Sequence, residues 1–157
     1  MFICRHCPYV EHVGQELAKI GRDYADTELG IIGISSNDPV QYPDDAPPRL
    51  KEMAERLAFT FPFCFDETQD VAKAYQAACT PDFYLFDGQR RLVYRGQLDD
   101  SRPGSNKPVT GHDLRAPRLR RCSPGSPSTA IKRRVSDAAS SGSDEKTDTH
   151  AECTLSV

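Results

Sequence analysis

No stretch of the 157 residues stays apolar long enough to cross a bilayer as a helix. The first residues also lack the basic segment, apolar stretch and small-residue cleavage site of a secretory signal. Positive charge is scarce in the body of the chain. Residues 1–116 hold thirteen Lys and Arg against eighteen Asp and Glu, a net −5. An acidic body without a basic stripe gives no electrostatic reason to expect a nucleic-acid partner. The six cysteines, at positions 4, 7, 64, 79, 122 and 153, are too few and too irregularly spaced for a disulfide-stapled mini-protein. These absences lead to the expectation of a cytoplasmic protein with no membrane partner. Its length suits one ordinary domain and hardly two.

What is present begins at once. Cys4 and Cys7 form a C-x-x-C around Arg5 and His6, preceded by Phe2-Ile3 and followed by Pro8. From Cys7 to Tyr24, apolar Val10, Val13, Leu17, Ile20 and Tyr24 recur at spacings of three and four, one face of an amphipathic helix with Pro8 in its first turn. LGIIGIS (29–35) reads as a strand buried on both faces. SNDPVQYPDDAPP (36–48) is dense in Asn, Asp and Pro and reads as a loop. A second helix follows over 49–59, with Leu50, Met53, Ala54 and Leu57 facing inward. After the apolar FPFCF (61–65), Asp66 or Thr68 can cap a third helix, TQDVAKAYQA. DFYLFD (82–87) and RLVYRG (91–96) read as a hairpin, and TGHD (110–113) as a capping-box start for a short last helix that Pro117 stops. Strands alternating with helices and ending in a hairpin imply a layered α/β sheet.

Three readings of the C-x-x-C stand at this point. As a redox dithiol, Cys4 at the mouth of a helix has its thiolate favoured by unpaired N–H groups and by the dipole, with Arg5 and His6 adding positive charge. It is then a thiolate at neutral pH, and Cys7, one turn deeper, attacks the mixed disulfide on Cys4 and releases the product thiol. As half of a zinc module the pair needs two more ligands, and His6, His12, Cys64 and Cys79 show no second paired motif. Two inert core thiols are the third reading, and a helix N-terminus is a poor place to hide them.

FICRHCPYV, ISSNDPVQYPDD, FPFCFDETQDVAKAYQAACTPDFYLFD and LVYRGQLDDSRPG, in that order, resemble the thioredoxin-like redoxins grouped with the AhpC/TSA (alkyl hydroperoxide reductase and thiol-specific antioxidant) proteins. The likeness covers about residues 2–116. It implies a three-layer α/β/α thioredoxin-like fold and a thiol–disulfide oxidoreductase that needs no bound metal or organic cofactor. Cys4 matches the nucleophile and Cys7 the resolving thiol. Thr80-Pro81 matches the cis-proline loop that faces the dithiol and holds an extended substrate backbone. The partners implied are a thioredoxin-type dithiol reductant and a disulfide-bearing protein substrate. Cys79, just before that loop, is placed as a third redox thiol or, with more weight, as a buried structural cysteine; Cys64 is read as core. Asp38, Tyr42, Asp44 and Asp45 line the site mouth or, as the better reading, belong to a solvated loop. Asp99-Asp100 with Arg102 fixes the loop after the last strand. Thiol peroxidases of this group present P-x-x-x-T-x-x-C, whereas only Met1-Phe2-Ile3 precede Cys4, so disulfide exchange is favoured over peroxide reduction.

The resemblance also makes both ends look altered. In this fold the dithiol follows a central strand, of which Phe2-Ile3 are the last two residues, so the N-terminal strands are expected to be missing. Residues 117–157, rich in Ser, Arg and Thr without a period, read as a disordered tail. A silent choice of codons exists in which RVSDAASSGSD (134–144), read from the third base, spells SLGCSIKWKR, close to the PS-x-GCSIKWK ending of such redoxins. The tail is therefore read as out of frame, with no role for Cys122 or Cys153.

Overall fold

The computed structural model describes residues 1–115. The expectations for 117–157, including Cys122 and Cys153, lie outside the described residues. In chain order the elements are α1 (Pro8–Asp23), β1 (Gly33–Ser35), a 3-10 turn (Pro43–Asp45), α2 (Pro47–Leu57), β2 (Phe63–Phe65), α3 (Asp70–Tyr75), β3 (Phe83–Phe86), β4 (Leu92–Gly96) and α4 (His112–Arg115). Among the described residues, no helix is long and apolar enough to cross a membrane.

β1 and β2 pair in parallel with Gly33 opposite Phe63, and β3 and β4 form the antiparallel hairpin with Phe83 opposite Gly96. Phe2 joins the two ladders, bridging Ile34 on one side and Asp82 on the other. Its N–H and C=O both exchange hydrogen bonds with Asp82, at 2.9 and 3.0 Å, while Ile3 N–H reaches the carbonyl of Ile34 at 2.9 Å. The spatial order is thus β2, β1, the Phe2 segment, β3, β4. The C-x-x-C leaves the middle of this sheet.

Side chains alternate across an extended chain, and that alternation builds the layers. Ile3 faces the core with Phe83 and Leu85, against Val10, Val13, Leu17 and Ile20 of α1 and Met53 and Leu57 of α2. Phe2 points the other way, edge-on to Tyr75 of α3 and to Tyr84, each at a centroid distance of 5.7 Å. Helices therefore cover both faces. Burying each large core side chain contributes roughly 1.5–3 kcal/mol.

Two elements are shorter than their patterns predict. Of 29–35 only Gly33–Ser35 is paired, and Ile32 is half exposed. The ladder starts where partners exist on both sides, Phe2 on one and Phe63 on the other. α3 spans six residues rather than ten because Gln76 turns left-handed at φ 53°. Asp66 does serve its N-terminus, accepting from Val71 N–H at 3.3 Å and Ala72 N–H at 2.9 Å. In contrast, α2 starts earlier than its apolar face predicts, because Pro47 tolerates the first turn, where its missing N–H has no partner to lose.

Candidate active site

Helix α1 begins at Pro8, and Cys7, not Cys4, is its N-cap residue. The Cys7 carbonyl accepts from the N–H groups of Val10 and Glu11, both at 3.0 Å. Cys4 sits in the preceding turn with 0 % of its surface exposed, packed into the core cluster. The chain brings the Thr80–Pro81 peptide, which is cis, against both sulfurs. Cys4 Sγ lies 3.0 Å from Thr80 Oγ1, and Cys7 Sγ–H donates to the Thr80 carbonyl at 3.3 Å.

The placement corrects the expected thiolate. Burial pushes the Cys4 thiol up to about 11; the Thr80 hydrogen bond opposes this and the charge of Asp45 adds to it. Cys4 is a thiol at neutral pH. The helix dipole acts within the first turn and its cap, where Cys7 stands, and desolvation wins at Cys4. Nor does Arg5 tune the sulfur as expected. Its guanidinium is engaged by Glu52 at 3.5 Å and by Asp44 at 3.8 Å.

His6 does lie at the site, held by a residue that the loop pattern hid. Asp45, expected in a solvated loop, has a side chain 0 % exposed. Its Oδ1 accepts the backbone N–H groups of Arg5 (2.7 Å) and His6 (3.1 Å). Its Oδ2 accepts the Asn37 amide (2.8 Å) and lies 2.5 Å from His6 Nδ1. Burial works to raise the Asp45 pKa, and hydrogen bonds from Asn37, His6 and Arg5 outweigh it, holding the carboxyl below its ordinary value. The ring of His6 stacks on Tyr42 at 4.4 Å and 12°. No local signal marks Asp45, because two of its three partners, Arg5 and His6, lie about forty residues upstream. Asp44 remains exposed, as the solvated-loop reading requires, whereas Tyr42, exposed in part, lines the mouth of the site.

A groove of about 390 Å³ opens beside this turn, lined in part by His6, Asn37, Tyr42, Gln76, Cys79 and Thr80. Cys79 is exposed, not the buried structural cysteine that carried more weight in the sequence. Desolvation, then the charge of Asp82, pushes its thiol above the ordinary value. Cys64 is buried in β2, as core. One group among the described residues could offer three ligand atoms to an ion: Cys4, His6 and Asp45, all within 4.8 Å of one another. It excludes Cys7, His12, Cys64 and Cys79. Both Asp45 oxygens already accept hydrogen bonds, and a closed structural zinc site takes four ligands. The trio suits proton handling better than metal binding.

Away from the dithiol, Asp99 organises the loop after β4. It accepts from Ser101 N–H and Oγ–H and from the N–H groups of Thr110 and Gly111, at 2.6–2.9 Å. Arg102 donates to the carbonyls of Asp99 and Ser101, so the pair does fix this loop.

The comparisons agree with this architecture. The family model of the AhpC/TSA family matches residues 1–95. The chain belongs to the AhpC/TSA family. Among solved structures, it is similar to an uncharacterized conserved protein from Geobacillus kaustophilus, with 55% identity, a TM-score of 0.73, and coverage of 76% of this chain and 63% of that one. It is also similar to a hypothetical protein from Sinorhizobium meliloti 1021, with 46% identity and a TM-score of 0.74 over 79% of this chain and 69% of that one. The chain thus spans under two thirds of the Geobacillus protein. No curated protein matches the sequence. Membership places the chain among the redoxins, with a thioredoxin-like α/β fold and thiol-based redox chemistry as the family's activity.

Proposed function

We propose that this chain works as a cytoplasmic thiol–disulfide oxidoreductase with Cys4 and Cys7 as its redox pair. One observation carries the reading: both sulfurs abut the same residue, Cys4 at the hydroxyl and Cys7 at the carbonyl of Thr80. Cys4 attacks a substrate disulfide, forming a mixed disulfide and expelling one substrate thiolate. Cys7 then attacks Cys4 Sγ, closing the Cys4–Cys7 disulfide and releasing the second thiol. A partner dithiol returns the two electrons. Because Cys4 is fully buried and Thr80 lies against its sulfur, its attack follows displacement of the Thr80 segment by the incoming substrate. The groove carrying Thr80 and Cys79 supplies the docking surface for that substrate.

The test is intact-mass measurement of the full chain across a dithiol redox titration, with peptide mapping. The expected result is a loss of about 2 Da localised to Cys4 and Cys7 at a defined potential. If the two never interconvert with a disulfide, the reading fails. A Cys4 that hydrogen peroxide oxidises far faster than a free thiol would move the assignment to thiol peroxidase. Stoichiometric zinc lost on Cys7→Ser would move it to a metal-holding module.

A further inference from the structure

The proposed exchange leaves the Cys4 proton unaccounted for. A buried thiol that attacks a disulfide must give up that proton, and the leaving thiolate must gain one. Water has no direct access to Cys4, which is wholly covered. The nearby proton-exchanging groups are His6 and Asp45, with one heteroatom of each residue within 4.8 Å of the others.

We propose that His6, held by Asp45, accepts the Cys4 proton and returns it to the leaving thiolate, making Cys4–His6–Asp45 a proton relay built into the C-x-x-C turn. The inference rests on the exchange reading above. The geometry assigns the parts. An ionised carboxylate only accepts, so the short contact at Asp45 Oδ2 requires His6 Nδ1 to donate. Neutral His6 then carries its lone pair on Nε2; a ring nitrogen of His6 lies within 4.8 Å of Cys4 Sγ, and catalytic contacts of this kind shorten when substrate binds. Tyr42 stacks on the ring and limits its rotation to that plane. The two N–H bonds from Arg5 and His6 to Asp45 Oδ1 hold the turn itself, so the carboxylate fixes both the backbone and the imidazole.

Other charged and titratable groups face this site. Arg5 is held by Asp44 and Glu52, Cys7 lies beneath Thr80, and Lys73 and Cys79 line the groove onto which His6 opens. None of the groups named here offers a base beside the Cys4 sulfur: Asp44 and Glu52 are committed to Arg5, Lys73 is paired with Asp70, Cys7 donates its S–H to the Thr80 carbonyl, and Cys79 is a thiol above its ordinary range. Histidine is also the side chain that exchanges protons most readily around neutral pH. In balance, Cys4–SH and neutral His6 become Cys4–S⁻ and imidazolium. The sulfur attacks RS–SR′ to give Cys4–S–S–R and R′S⁻, and the imidazolium protonates R′S⁻.

The test follows the rate at which iodoacetamide, whose thioether Cys7 cannot displace, alkylates Cys4 in the reduced full-length chain as a function of pH, read by peptide mass mapping. This reagent needs no partner protein, so the result is separable from the redox titration. In the native chain, the Cys4 profile should carry an inflection belonging to the coupled Cys4–His6 pair. His6→Asn should abolish it and slow labelling at pH 7 about 100-fold, the low end of general acid–base effects. Asp45→Asn should do the same by letting the ring adopt the other tautomer, while Cys7 labelling in the same samples stays within about twofold. A His6→Asn chain that melts like the native protein and keeps the native Cys4 profile overturns the relay. Should Asp45→Asn fail to fold, His6→Asn alone decides. A moved Cys4 profile in a chain whose dithiol never closes would keep the relay and reject the exchange reading.

Discussion

The hydroxyl of Thr80 stands 3.0 Å from the sulfur of Cys4, seventy-six residues away in the chain. That contact pulls the Cys4 thiol toward ionisation against the larger push of burial. Thr80→Val keeps the shape and the backbone carbonyl that receives Cys7, and removes only the hydroxyl. Hydrogen bonds to charged groups contribute about 1.5–3 kcal/mol, so Cys4 labelling at pH 8 should slow roughly tenfold or more. Thr80→Ser should restore most of the rate. Equal rates for Val and Thr would show that the hydroxyl does not reach the thiolate.

Burial at Cys4 also couples stability to alkaline pH. The thiol titrates at 9.0 in the open chain and at about 11 when folded, so the folded state holds its proton more tightly. The stabilisation is whole below about pH 9 and is lost as pH rises from 9 to 11. About two pH units of separation corresponds to roughly 2–3 kcal/mol. Tyr84, pushed up to about 12 by burial and by its bond to Asp82, adds a loss in the same direction at higher pH. Urea unfolding of the native chain and of Cys4→Ala at pH 7, 9 and 10.5 isolates the thiol. The native chain should lose more stability with pH than the variant. Parallel curves would mean that Cys4 does not change its proton affinity on folding.

Much of the frame was legible in the sequence because it rests on local periodicity. Val10, Val13, Leu17 and Ile20 fall at helical spacing, and all four are buried along α1. DFYLFD and RLVYRG pair as the hairpin their alternation and Gly-containing turn require. The site was legible only as far as the C-x-x-C and Thr80-Pro81 motifs reached. The protonation of Cys4 was not, because it depends on what covers the sulfur, and the cover comes from residue 80. Asp45 was hidden for the same reason: Asp in a Pro-rich loop is ordinarily solvated, and only folding brings the Arg5 and His6 N–H groups onto it. Cys79 sat beside an apolar strand in sequence and proved exposed because the groove runs past it.

Close packing against the last turn of α1 gives a prediction in which two effects oppose. Gly21 lies in the helix, where Ala is intrinsically better by about 1 kcal/mol. A Cβ there would meet Thr60 Oγ1 at 2.7 Å and Phe61 Cδ1 at 2.9 Å. Phe61 is itself buried and stacked on Phe59, so it has little room to give. Overpacking of this kind costs about 1–3 kcal/mol, enough to reverse the propensity gain. Gly21→Ala should therefore lower the melting temperature by several degrees, read by circular dichroism. A higher melting temperature would show that the Thr60–Phe61 segment yields freely.

Asp99 provides the acid-side counterpart to Cys4. Burial raises its pKa, but bonds from Ser101, Thr110 and Gly111 outweigh it and bring the carboxyl from 3.8 down to about 2. The folded state thus releases this proton more readily than the open chain. Its contribution is whole well above pH 4 and is lost as pH falls from 3.8 toward 2. The separation corresponds to about 2 kcal/mol. Asp99→Asn removes the charge and presents an amide to donors that need acceptors, so at pH 7 it should cost about 2–3 kcal/mol in urea unfolding. The loop it anchors also carries Ser101, whose Oγ meets His12 Nε2 of α1 at 3.0 Å, so the damage should reach the packing of that helix. At pH 2.5 the native carboxylate is itself partly protonated, and the gap between native and variant should narrow. A gap of equal size at both pH values would assign the loss to shape rather than to charge.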